Sequence, residues 1–280
     1  MKRVIYTLLC GALLLGACIQ DKEIGDITVP NPGYTLPQGK SPADSRIVEL
    51  YNKYGSYFLY EFSRQDFIWT FVANSTIPPY QCTPADPAYV GPFLDLLEDI
   101  WFQFYTDDFL ATYLPYRVFL TETIVWTAMG NSLQYARQAD NQIALAYCSD
   151  TLLTMSRETK VAYKIALQRQ FWANSYVNLL EFPAEFYAVT DYTRDMNNTD
   201  PLSPDYFKTR GFFVNANALN RTPARDLYNF FWTVLSGTYA VIENDLDTYP
   251  LMNQKFNIMR DFLIQRYGVD IRKIMDETYE

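Results

Sequence analysis

From Ser156 to about Leu180 the chain carries apolar residues at helical spacing without a break. Ser156 is placed to cap such a helix, Glu158 sits in its first turn, and Pro183 stops it. A helix this long must bury one face, so the rest of the chain has to supply a body that covers it. Counted by fours, the inward stripe reads Val161, Ile165, Arg169 and Ala173, with Trp172, Tyr176 and Leu179 beside it. An arginine in that stripe, followed at once by Gln170, is out of keeping with a simple core helix.

The remaining helical signals surround this one. Ile47, Leu50, Tyr51, Tyr54, Tyr57 and Phe58 predict a helix from Asp44 to about Phe62. Val90, Phe93, Leu94, Leu97, Ile100, Trp101 and Phe104 predict a second, with Pro92 tolerated near its start. Thr222 and Pro223 open a third as cap and first residue; Tyr249-Pro250 and Gly268 bracket a fourth. "YRVFLTETIVW" (116–126) alternates and is β-branched, so it reads as a strand, with "NQIALAY" (141–147) as its partner. "STIPPYQCTPADPAY" (75–89) reads as a loop, and so does the polar stretch "RDMNNTDPLSPDYFKTRG" (194–211). No composition break divides residues 45–280. The expectation is one α+β domain, predominantly helical, with a small β-sheet in its first half.

Composition then limits function. Of the 280 residues, 49% are apolar and 17% aromatic, enough for a thick aromatic core; exposed rings stacking on sugars are the alternative use. The formal charge of −9 disfavours nucleic acid and anionic lipid as partners. The chain has no histidine, which removes Ser-His-Asp and Cys-His catalysis and every imidazole zinc site. There is no Walker or GxGxxG loop, and neither "DNQ" nor "ENDLD" has the spacing of a calcium loop. No cofactor is expected. A pair of carboxylates could still hydrolyse a glycan, but nothing singles out two of the 32 acidic residues.

"MKRVIYTLLCGALLLGAC" has two charges, a short apolar run and small residues before Cys18. Residues 1–17 therefore read as a secretory signal. Leu15-Gly16-Ala17-Cys18 resembles a bacterial lipobox, which implies acylation of Cys18 and a lipid anchor in a membrane. Residues 18–44, acidic and then rich in Pro and Gly, read as a flexible tether. The acidic start after Cys18 resembles the export signal of surface lipoproteins in Bacteroidota, which implies an outer-membrane, cell-surface location. Cys82 and Cys148 remain in the body, either bridged or as buried free thiols.

Several stretches in order also resemble one family: "FLYEF", "YVGPFLDLLEDIWFQFY", "FLATYLPYRVFLTET", "RGFFVNANALNRTPARDLYNFFWTVL" and "YPLMNQKFNIMRDFLIQRYGVDIRKI". The chain is similar to the lipoprotein zinc metallohydrolases associated with TonB-dependent substrate import in Bacteroidota. That resemblance implies a zincin-like domain over residues 45–280. In such a domain a His-Glu-x-x-His helix holds zinc and its glutamate activates water. Here Arg169 falls at the first histidine, Gln170 at the glutamate and Ala173 at the second histidine; Phe171 is kept and Trp172 lies between. The acidic helix start expected downstream is "RDLYN", in which Asp226 keeps a carboxylate and Asn229 does not. Arg, Gln and Ala supply neither ligand nor base, so the resemblance implies a degenerate member without metal or catalysis. It would serve nutrient import by binding a polysaccharide, a peptide or a transporter of the TonB-dependent class. Arg169 is then expected either to snorkel to the surface or to pair with Asp226 or Glu185.

Overall fold

In a computed structural model, residues 33–69, 80–139, 141–215 and 221–280 are described. The leader, Cys18 and the first part of the tether lie outside them. The opening helix α1 (Asp44–Tyr54) ends at Gly55, whose φ of 70° a side chain would resist; its N–H closes on the Tyr51 carbonyl. The predicted continuation of this helix to Phe62 is corrected: Tyr57–Leu59 form strand β1, buried on both faces. Three consecutive buried residues suit a parallel strand covered on both faces better than one helix face.

Helix α2 (Arg64–Trp69) precedes β2 (Tyr80–Pro84), which lies in the predicted 75–89 loop. Beyond it, α3 (Val90–Ile100) stops short of Phe104, and Phe102–Phe104 form a separate tight turn. Helix α4 (Asp107–Tyr113) is capped by the Thr106 hydroxyl, which accepts the Phe109 N–H. Strand β3 (Arg117–Trp126) is the axis of the sheet. It is followed by β4 (Ser132–Gln134), β5 (Ala136–Ala139) and β6 (Gln142–Leu145).

The first half of β3 runs parallel to β1 and to β6, pairing Arg117 with Tyr57 and with Gln142. Its second half is antiparallel to β2 and β4, pairing Trp126 with Tyr80 and with Ser132. This second partnership explains β2: the half of a long strand that lies beyond β1 and β6 recruits Tyr80–Pro84 although their own sequence is rich in turn residues. Strand β5 runs antiparallel to β6 and forms the edge of the order β1-β3-β6-β5.

The helical half follows: α5 (Arg157–Arg169), a π-helical segment Gln170–Tyr176, and one further turn, α6 (Val177–Leu179). Then come α7 (Ala184–Ala188), α8 (Pro223–Val234), α9 (Ala240–Thr248), α10 (Pro250–Tyr267) and α11 (Ile271–Asp276). The caps read from the sequence hold. The Thr222 hydroxyl accepts the Arg225 N–H, Pro223 and Pro250 occupy first-turn positions, and Gly268 ends α10 at φ 68°. The arrangement is the expected α+β domain, mostly helical, with a small mixed sheet in its first half. Among the described residues no helix is long and apolar enough to cross a membrane.

Leu36–Glu280 form one compact unit. The side chain of Gln38 accepts the Tyr60 N–H at 3.0 Å, and the Tyr60 hydroxyl accepts the Lys40 and Ser41 N–H groups. Those polar side-chain bonds dock a segment that has no apolar periodicity to betray it. Trp101, Trp172, Tyr60, Tyr163 and Tyr176 are all fully buried, so the aromatic share of the chain is spent largely on the core. Cys148 is buried and Cys82 half-buried; both thiols are free.

Candidate functional site

The Ser156 hydroxyl accepts the Thr159 N–H at 3.2 Å, starting α5 as the sequence predicts. The buried face, however, is Tyr163, Lys164, Leu167 and Gln168, continued by Phe171, Trp172, Ala173 and Tyr176. The expected inward stripe of Val161, Ile165 and Arg169 is only partly buried, and Leu179 is exposed. The helix is therefore rotated from the sequence reading. The rotation follows the large rings of Tyr163, Phe171 and Trp172, which remove more apolar area from water than Val161 and Ile165 could. At Gln170 the winding also changes from α to π, a rare local form that tends to accompany functional positions.

Polar side chains on this face are bonded in a chain. The Trp172 indole N–H donates to the Tyr105 hydroxyl at 2.8 Å, and that hydroxyl donates to Gln168. Gln168 in turn donates to the Ile100 carbonyl at 2.9 Å, which ties the central helix to the end of α3. One turn earlier, the buried Lys164 ammonium donates to the carbonyls of Ile274 and Glu277, at 2.6 and 2.5 Å, and so satisfies the end of α11. Burial lowers the Lys164 pKa to about 8.

Arg169 is neither fully in solvent nor, among the described residues, ion-paired. Its guanidinium carbon lies 4.0 Å from the centre of the Trp232 ring, and its Nε is buried without a hydrogen-bond partner. Burial depresses its pKa, partly offset by the Tyr228 hydroxyl group. Trp232 stacks on Tyr228 (centroids 5.6 Å apart, planes at 12°), and the Arg225 guanidinium lies 4.4 Å from the Tyr228 centroid. Arg225, Tyr228 and Trp232 share one face of α8 because their spacing of three and four residues returns to the same side. The result is two stacked rings with a guanidinium on each, an arrangement in which the cations are held by ring quadrupoles.

The expected Arg169–Asp226 pair is absent, because Asp226 is turned inward to another partner. Its Oδ2 lies 2.5 Å from the Lys255 Nζ, with both side chains wholly buried, and accepts the Tyr192 hydroxyl at 2.7 Å. Among the described residues Oδ1 is buried with no hydrogen-bond partner. The Lys255 nitrogen also sits 5.0, 5.2 and 5.8 Å from the ring centres of Phe186, Phe212 and Tyr192. Burial raises the Asp226 pKa and lowers that of Lys255, and their mutual attraction opposes both shifts. Glu185, the other candidate partner of Arg169, is exposed and makes no ion pair among the described residues.

Gln170 accepts the backbone N–H of Gln138 on edge strand β5 at 3.3 Å. Phe171 meets Trp101 edge to face at 4.9 Å. Ala173 is 2% exposed, and Asn229 is 7% exposed with an amide that makes no hydrogen bond among the described residues. The structure thus groups Arg169 with the α8 face, sends Gln170 to the sheet edge, and buries Asp226 away from both. These donors do not fit a zinc ion: guanidinium and methyl groups cannot ligate, and the retained carboxylate is neutralised by an ammonium. Among the described residues no cluster of three or more Cys, Asp and Glu could hold a metal either.

Sequence reading missed Trp232, Tyr228, Lys255 and Tyr192. The first two carried a signal in "RDLYNFFW", where a basic residue and two rings fall at helical spacing. Lys255 carried one too, lying among Met252, Phe256, Met259 and Leu263 on the apolar face of α10.

Cavities of about 320, 240 and 150 Å³ lie elsewhere on the surface. The first holds Glu49, Glu98 and Asp107 beside Arg46 and Lys53. Asp107 lies 2.6 Å from Lys53, which holds its carboxyl below the usual range, the opposite of what a glycosidase acid requires.

No protein-family model matches the chain, and no curated protein matches it. Among solved structures it is similar to a Bacteroides caccae protein proposed to be a zinc-binding metallo-peptidase. The TM-score is 0.53 at 13% identity, over 88% of this chain and 94% of that one. The likeness is one of fold: this chain shares the overall architecture of that metallo-peptidase-like protein.

Proposed function

We propose that this chain is a zincin-like lipoprotein that binds rather than cleaves, acting as an accessory of outer-membrane nutrient import. The observation that carries the reading is the fate of the position that resembles a zinc motif. Arg169 lies on Trp232 there, and the one carboxylate retained nearby, Asp226, is bonded to Lys255. A hydrolase of this class needs a Lewis acid and a base at that place, and neither an arginine nor a glutamine supplies them. The resemblance to import-associated lipoproteins supports a role at the outer membrane, with a glycan or peptide ligand or a transporter as partner. The lipobox-like Leu15-Gly16-Ala17-Cys18 supports anchoring through Cys18.

The test is zinc quantification on the purified protein, followed by incubation with peptide and glycan libraries scored for both binding and cleavage. Binding without turnover and without stoichiometric zinc is expected. Stoichiometric zinc with metal-dependent cleavage would overturn the reading. Labelling with a clickable fatty acid, lost in Cys18→Ala, tests the anchor separately.

A further inference from the structure

We infer that Arg169, flattened on Trp232 of α8, is a receptor for the carboxylate of a sugar acid; this rests on the non-enzymatic binding reading above. The inference starts from what Arg169 lacks. A guanidinium carries five N–H donors in a planar fork that matches a carboxylate edge to edge. Its flat face is occupied by the indole at 4.0 Å, yet among the described residues its side chain donates no hydrogen bond and makes no ion pair. Partial burial has already removed much of its water, as its depressed pKa reflects. A desolvated, unpaired cation is costly, and a bidentate carboxylate would repay that cost at this spot.

Three neighbours sharpen the class of ligand. Stacking on Trp232 fixes the plane of the fork before binding, so little side-chain freedom is lost when an anion arrives. Tyr228 stacks on Trp232 from the same face of α8 and carries Arg225 at 4.4 Å from its centroid, so a second guanidinium flanks the stack. Two fixed cations on one ring stack suit a ligand that carries more than one carboxylate. On the other side, the Gln138 N–H of edge strand β5 is already taken by Gln170. An extended peptide would need that N–H for strand pairing, whereas a saccharide would not. The chain's overall charge of −9 does not prevent the contact. Charges beyond roughly 8 Å are screened at physiological salt, while Arg169 and Arg225 set the local sign.

The experiment uses the full protein and calorimetric titration with trimers of galacturonate and of mannuronate. The methyl esters of both and a neutral tripeptide with a free C-terminal carboxylate serve as controls. At least one uronate trimer should bind the wild type, with its methyl ester at least tenfold weaker. Arg169→Lys keeps the charge but loses the planar fork, and should weaken uronate binding at least tenfold with an unchanged melting temperature. Trp232→Leu should weaken it in the same direction. Equal binding of acid and ester, an Arg169→Lys variant that binds as well as wild type, a preference for the tripeptide, or no uronate binding would each overturn the inference. The same samples are scored for cleavage. A uronate held through Arg169 and then hydrolysed would leave the carboxylate site standing and sink the non-enzymatic reading. Neutral glycan binding without cleavage, indifferent to Arg169→Lys, would do the reverse.

Discussion

Replacing Lys255 with methionine removes a buried cation of similar length and leaves its partner behind. In the wild type, the Lys255 nitrogen lies 2.5 Å from Asp226, and neither side chain is exposed. Without the ammonium, Asp226 keeps only the Tyr192 hydroxyl on Oδ2, and Oδ1 still has no partner. Breaking a buried pair in this way costs about 3–5 kcal/mol, a large part of the roughly 5–15 kcal/mol that holds a typical domain together. The pH dependence has a definite sign. Burial already raises the Asp226 pKa above its ordinary value, and loss of Lys255 raises it further. Between the two pKa values the folded variant holds a proton that the unfolded chain has released, so its deficit is full above the folded pKa and shrinks as pH falls through it toward the unfolded pKa. Removing both charges with Asp226→Leu and Lys255→Met leaves only the Tyr192 hydroxyl without its acceptor, worth about 1 kcal/mol. Urea unfolding followed by tryptophan fluorescence, at pH 7 and pH 5, separates these cases. A single variant that loses under 1 kcal/mol, or a double variant as unstable as the single one, would refute a buried charge pair.

Three further outcomes are expected. Lys164, lowered to about 8 from 10.5, binds fewer protons folded than unfolded between those values, so its contribution to stability grows as pH rises through that window. Wild type should therefore gain on Lys164→Met between pH 8 and 10.5 in parallel melts; a constant gap would refute it. Trp172→Phe removes the donor to the buried Tyr105 hydroxyl and should cost about 1–2 kcal/mol in urea unfolding; a variant as stable as wild type would show that this bond is not needed. Rebuilding the motif with Arg169→His, Gln170→Glu and Ala173→His should yield no stoichiometric zinc by metal quantification. The π winding sets residues four apart on different bearings, and a stoichiometric ion in the triple variant would show that the segment rewinds freely.

The helix ends were legible because caps are local chemistry: Ser156, Thr222, Pro223, Pro250 and Gly268 act through neighbours within a turn. Strand β3 was legible from its alternation. Strands β1 and β2 were not, because each is short and exists through its pairing with β3, which no local pattern records. The site divides in the same way. Position 169 stood out as a cation in an apolar stripe, but its partner could not be read from charge alone. Asp226 was the obvious counter-ion in sequence, and Lys255, 29 residues later, claims it in three dimensions. What Arg169 meets instead is a ring system on α8, and pairing of that kind leaves no opposite-charge signature.

The contact between Gln170 and Gln138 also bears on how copies of this chain meet. The last strand of a sheet presents a row of unsatisfied amides, which can template assembly with a neighbour's backbone. Here one amide of β5, on a buried residue, is held by a side chain from the central helix. Gln170→Ala would take that acceptor away from the margin of the sheet.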